Sequence, residues 1–137
     1  MHQSRAVKPI DDALAELTEI YLEAARKDVG DLEALVARAL DHPDQWTDVG
    51  AEMRRIVHNV KGQGSSFGYP LMTKIGESLS HLLKLVKKPE DPVLKLVEAH
   101  ISALRLVLDQ DIRDEAGAHG QALLRRFRDM VEQLAAR

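Results

Sequence analysis

One short run of the chain holds residue types suited to group-transfer chemistry, set at helical spacing: Arg54, Arg55, His58, Lys61, Gly62 and Ser65. On a helix, positions three and four apart share a face. His58 therefore sits on one ridge with cations within a turn on either side, while Met53, Ile56, Val57 and Val60 form an apolar stripe facing away. A neutral imidazole is a competent nucleophile at neutral pH and can carry a phosphoryl group covalently. An ammonium one turn on can pair with phosphoryl oxygens, and the two arginines add positive potential. Gly62 and Gly64 each cost a helix interior about 1 kcal/mol relative to Ala. Two such losses in an otherwise good helix imply that something comes close to the backbone there. For Gly64, on the stripe side, close packing of a neighbouring helix is the plain reading.

The rest of the chain reads as helices that would position this ridge. Ile10, Leu14, Leu17, Tyr21 and Ala24 mark one face of a first helix, which Gly30 is expected to stop, and Leu32, Leu35, Val36, Ala39 and Leu40 mark a second over 31–41. A third spans about 46–66. Pro70 opens a fourth to about 87, Asp91-Pro92 opens a fifth over 92–110, and Leu123, Leu124, Phe127, Val131 and Leu134 mark a C-terminal one. Residues 1–9 are expected to be a flexible lead-in and 10–137 a single domain. No alternating strand pattern or internal repeat competes. Short loops between helices predict an all-α fold, an up-down antiparallel four-helix bundle core with additional terminal helices. The core is expected from 31–41, 46–66, 70–87 and 92–110.

Composition narrows the alternatives. The 137 residues suit one domain with its own core, and 19 leucines with 16 alanines lean it toward helix. There is no cysteine, which excludes disulfides, thiolate metal sites and a cysteine nucleophile. No two histidines stand four apart, so no metal site is expected; His81 and His100 read as boundary histidines on helices. The longest run free of Asp, Glu, Lys and Arg, Gly62–Thr73, is too short and too glycine-rich for a membrane span. A net charge of -3 gives no drive toward nucleic acid, and Asp129 and Glu132 dilute the small basic patch of Arg125, Arg126 and Arg128. A cytoplasmic monomer is the expectation.

The run His58-Asn59-Val60-Lys61-Gly62-Gln63-Gly64-Ser65-Ser66-Phe67-Gly68 resembles the motif of histidine phosphotransfer (HPt) domains: His, any residue, an aliphatic, Lys, Gly, then a hydrophobic-Gly pair. The Phe67-Gly68 ending is also similar to the phosphotransfer domains of chemotaxis kinases. The resemblance implies His58 as phosphoacceptor, Lys61 as the stabiliser of phosphoryl charge, and Arg54, Arg55, Gly62 and Ser65 on a docking surface. The implied partners are receiver domains of response regulators and hybrid histidine kinases. The implied role is that of a phosphocarrier and not an enzyme, relaying phosphoryl groups between receiver aspartates in a two-component phosphorelay. It implies no cofactor of its own, Mg²⁺ belonging to the partner receiver. No Walker-type loop or ATP-binding kinase segment is present. In chemotaxis-type domains a glutamate on the next helix hydrogen-bonds the histidine and fixes its tautomer. Ser80 stands at that position here, with Glu77 one turn earlier and His81 beside it. Two other readings stay open: a non-phosphorylated docking module that regulates a receiver or kinase, and a detached kinase-substrate domain of chemotaxis type.

Overall fold

Gly30 does not end the first helix. In the computed structural model, which describes the backbone of residues 2–136 and the side chains of 8–136, α1 is one unbroken helix, His2–Asp41. Val29 and Leu32, on either side of Gly30, are fully buried. Burying two such side chains is worth several times the roughly 1 kcal/mol that a helical glycine costs, so the helix runs on. The two N-terminal helices expected from the sequence are therefore one. The helix also continues through Pro9, so the expected lead-in carries helical backbone from His2; Met1 lies outside the described residues.

The remaining helices are α2 (Trp46–Gln63), α3 (Pro70–Leu85), α4 (Asp91–Asp109) and α5 (Gly117–Ala135), with single 3₁₀ turns at Pro43–Gln45 and Ser65–Phe67. No strand occurs among the described residues. α2 stops short of the expected Ser66 because the chain tightens into the second 3₁₀ turn, and α3 stops at Leu85 because Val86 is extended. α1 packs on α2 and α4, and α3 packs on the same two, closing an up-down ring of four helices. α5 lies outside the ring against α3. Since α1 is a core helix along its bundle-facing length, one terminal helix accompanies the core and not two. Among the described residues no helix is long and apolar enough to cross a membrane.

Two glycines and an aromatic corner fix how α2 meets α3. A Cβ on Gly64 would lie 2.7 Å from Met72 Cβ and 2.8 Å from the Tyr69 carbonyl oxygen, and one on Gly76 would lie 2.9 Å from Lys61 Cβ. Neither distance admits a side chain, so both helices approach through bare backbone. The Gly64 carbonyl accepts the N–H groups of Phe67 (3.2 Å) and Tyr69 (2.9 Å), and Gly68 takes the left-handed φ of 87° that completes the turn. Tyr21 of α1 stacks on Phe67 (ring centroids 4.7 Å apart) and on Tyr69 (5.8 Å), while the Tyr69 hydroxyl donates to Asp111 beyond α4. Burial pushes the Tyr21 hydroxyl up to about 12.

His100, read from the sequence as a boundary residue, is wholly enclosed. Its Nδ1 lies 2.8 Å from the Leu96 carbonyl and its Nε2 lies 2.8 Å from Ser78 Oγ. A carbonyl only accepts, so Nδ1 carries the proton and Nε2 accepts from the serine hydroxyl. The ring stacks on Phe127 of α5 at 3.9 Å. Burial pushes its pKa down to about 4.

Candidate functional site

α2 is built to divide its two faces. Val49, Met53, Ile56, Val57 and Val60 are buried against the other helices, which turns Arg54, Arg55, His58 and Gly62 outward. All four are exposed. His58 thus presents its imidazole to solvent in the penultimate turns of a helix whose opposite face is locked into the core.

Lys61, one turn on, is half-buried, and its Nζ donates to Ser80 Oγ at 3.4 Å. Gly76, one turn before Ser80 on α3, brings the α3 backbone close enough for this bond. The lysine is therefore leaned across the α2–α3 seam. The serine found where chemotaxis-type domains carry their glutamate makes its contact to Lys61. Glu77 lines a separate groove between α3 and α5 with Lys74, His81 and Arg128, and no hydrogen bond joins it to His58.

Gly62 answers a question the sequence raises. A Cβ there would meet nothing within 4 Å, so no contact inside the chain demands glycine, whereas Gly64 and Gly76 are demanded by their neighbours. The ridge beside His58 is simply open. Next to it an open groove is lined by Leu17, Ile20, Tyr21 and Ala24 of α1 with Gly62, Gln63 and Phe67. The α1 wall of this groove was not read as part of the site. Its signal was the apolar run Leu17, Ile20 and Tyr21, which on sequence alone looks like core.

The flanking charges are not equivalent. Arg55 is held by Glu52 one turn back, which keeps the Glu52 carboxyl below and the guanidinium above its ordinary range through that hydrogen bond. Arg54 has no ion pair among the described residues, so its charge is available to an incoming anion. Ser65 is exposed in the 3₁₀ turn after α2, where its backbone N–H is tied to Thr73 Oγ1 at 2.9 Å. The structure thus brings Arg54, His58, Lys61 and Gly62 onto one face and puts Ser65 at its edge. Among the described residues no three His, Asp or Glu side chains converge as a metal site.

This face offers an exposed nucleophile, a tethered cation and an uncluttered approach, which together suit transfer of an anionic group to and from a docked protein. The family model described as Hpt domain matches residues 16–137, nearly the whole chain. Comparison with curated proteins and with solved structures found no match. With its helical bundle and this match over 16–137, the chain belongs to the Hpt domain family, whose members act in histidine phosphotransfer with receiver domains of two-component systems.

Proposed function

We propose that this protein relays a phosphoryl group between receiver-domain aspartates through a phosphohistidine at His58. What carries the reading is the open ridge at His58: an exposed imidazole followed by a glycine that no internal contact requires. The lone pair of a neutral ring nitrogen attacks the phosphorus of a receiver's aspartyl phosphate. A P–N bond forms as the P–O bond breaks, and the aspartate leaves as its carboxylate. The proton stays on the other ring nitrogen, from which solvent can take it. Transfer onward is the same step reversed on a second receiver.

Each neighbour has a place in this step. Lys61 meets the phosphoryl oxygens as the charge moves, Arg54 adds to the same potential, and Gly62 with the groove beside Leu17 and Ile20 receives the partner's surface. Phosphoryl transfer needs mainly alignment and charge neutralisation, so Mg²⁺ in the receiver suffices and the chain acts as a carrier without kinase activity of its own. Its receivers draw their phosphate from ATP-dependent kinases, which sets the relay in the cytoplasm.

The test uses a phosphorylated receiver as donor and intact-mass detection of this chain. The expected result is a gain of one acid-labile phosphoryl group that His58→Gln abolishes without loss of helicity. Labelling that survives in His58→Gln overturns the assignment. Receiver binding without labelling of the natural chain turns the reading to a docking module.

A further inference from the structure

Two arginines precede His58 within a turn, and they are in different states. Arg54 has no ion pair among the described residues, whereas Arg55 is gripped by Glu52, three residues earlier. The grip is two-pronged: the Arg55 Nε donates to one carboxylate oxygen at 3.1 Å and its Nη2 donates to the other. Acids on α1 reinforce it, because the charges of Asp28 and Asp31 also act on Arg55 from across the α1–α2 seam. Asp31 is itself paired with Lys27 at 2.9 Å. Asp28 is half-buried with no ion pair among the described residues, and burial, with Asp31 nearby, pushes its carboxyl up. This side of His58 therefore sets three carboxylates against two cations. On the other side stand Arg54 and Lys61, and the contact made by Lys61 is to a hydroxyl.

A phosphoryl group on His58 changes the demand on Arg55. Residues three apart on a helix have Cβ atoms about 5–6 Å apart. Helical side chains also lean toward the N-terminus, which carries the His58 ring back over the turn that holds Arg54 and Arg55. The guanidinium that reaches Glu52 is therefore within reach of an anion on the imidazole. A phosphoryl group bears more charge than a carboxylate and fits the guanidinium fork equally well. The hold it must break is weak. In the pair, 62% of the Arg55 side chain and 46% of the Glu52 side chain lie in water, where ion pairs contribute little. Arg55 thus stands between two anions that compete for it, and linkage makes the competition reciprocal. What Glu52 gains from Arg55 beside a free histidine is given up when phosphohistidine forms. Glu52 therefore raises the phosphohistidine in energy and favours handing the phosphoryl group on.

We propose that Glu52 is a positioning residue that withholds Arg55 until His58 is phosphorylated, and so sets how a phosphoryl group divides between His58 and a receiver aspartate. The inference rests on the phosphohistidine reading and adds a residue to it. The test equilibrates this chain with a phosphorylated receiver and measures how much phosphoryl group each protein holds. Glu52→Gln frees Arg55 and should shift the division toward this chain by about two- to fivefold, the worth of an exposed ion pair. Arg55→Ala should shift it toward the receiver by about three- to tenfold. In the Arg55→Ala background Glu52→Gln should change the division by less than about 1.5-fold, because no guanidinium is left to release. Circular dichroism of all three variants should match the natural chain, since both side chains are largely in water. A division unmoved by Glu52→Gln, in a chain that does take the label, overturns the inference and leaves the relay standing. A Glu52→Gln effect that persists in full without Arg55 also overturns it, since the carboxylate would then act by its own charge alone. Failure of the natural chain to take any label would sink the relay and this inference together.

Discussion

His58 and His100 both occupy helix interiors, in opposite surroundings. His100 has both ring nitrogens committed, one to the Leu96 carbonyl and one to the Ser78 hydroxyl, and its faces are packed, with Phe127 at 3.9 Å. His58 lies in water beside a glycine whose missing side chain would touch nothing. An imidazole can act as a nucleophile only through a ring nitrogen whose lone pair is free and reachable. At His100 that lone pair is spent on structure, and at His58 it is open to a partner. The same residue type is a packing element on α4 and, in the proposed relay, a reagent on α2, and the difference is made by neighbours more than by the imidazole.

The largest effect that separates the two comes from deleting each ring. Where His58→Gln should remove labelling and leave stability intact, His100→Ala should do the reverse. It leaves a void against Phe127 and strands the Ser78 hydroxyl, at a cost of about 2–4 kcal/mol. Urea denaturation should show that loss, while labelling by a phosphorylated receiver, measured where the variant is still folded, should stay near the natural level. A labelling defect in folded His100→Ala would mean the two sites are coupled through α3, which carries both Ser78 and Ser80.

Acid should sharpen the contrast through the stability that the buried ring contributes. Burial holds the folded His100 down to about 4 against an ordinary value near 6.5. The unfolded chain therefore binds the proton first. His100 contributes its full stability above the unfolded value, and that contribution is lost progressively as pH falls from about 6.5 toward 4, by roughly 3 kcal/mol. Carboxylates also titrate near the lower end of this window, so the measurement is a difference: the pH dependence of unfolding in the natural chain minus that in His100→Gln. The difference should grow with acid across the window. Equal slopes would show that the buried ring takes up its proton without unfolding.

How far these features could be read from residues alone depends on whether they are local. The exposed ridge of α2 was legible because helical spacing alone sets His58, Lys61 and Gly62 on the side away from Met53, Ile56 and Val60. The helix starts at Pro70 and Asp91-Pro92 were legible because cap and proline preferences act within one turn. Gly30 misled because its local cost is real but smaller than the burial of Val29 and Leu32, which only the assembled bundle supplies. His100 misled for a like reason: its bond to Leu96 is one turn away, but its enclosure depends on α3 and α5. The Lys61–Ser80 contact was hidden because it needs the register of α2 against α3, set by the bare backbones of Gly64 and Gly76.

That contact supplies the smallest and most specific test of the reactive side of the comparison. If Lys61 meets phosphoryl oxygens, Lys61→Ala should slow transfer from a phosphorylated receiver by about tenfold, the worth of one charge-assisted hydrogen bond made as charge develops. Ser80 touches the lysine and not the phosphoryl group, so it is a positioning residue. At 3.4 Å its bond is long, and its partner keeps its charge when the hydroxyl is gone. Ser80→Ala should therefore cost no more than about two- to threefold in transfer rate, with stability changed by less than about 0.5 kcal/mol. In the background of Lys61→Ala the same change should cost nothing further, because there is no ammonium left to hold. Rapid-quench transfer rates for the two single variants and the double variant decide it. A Ser80→Ala effect that persists without Lys61 would mean the serine acts on His58 or the docked receiver directly.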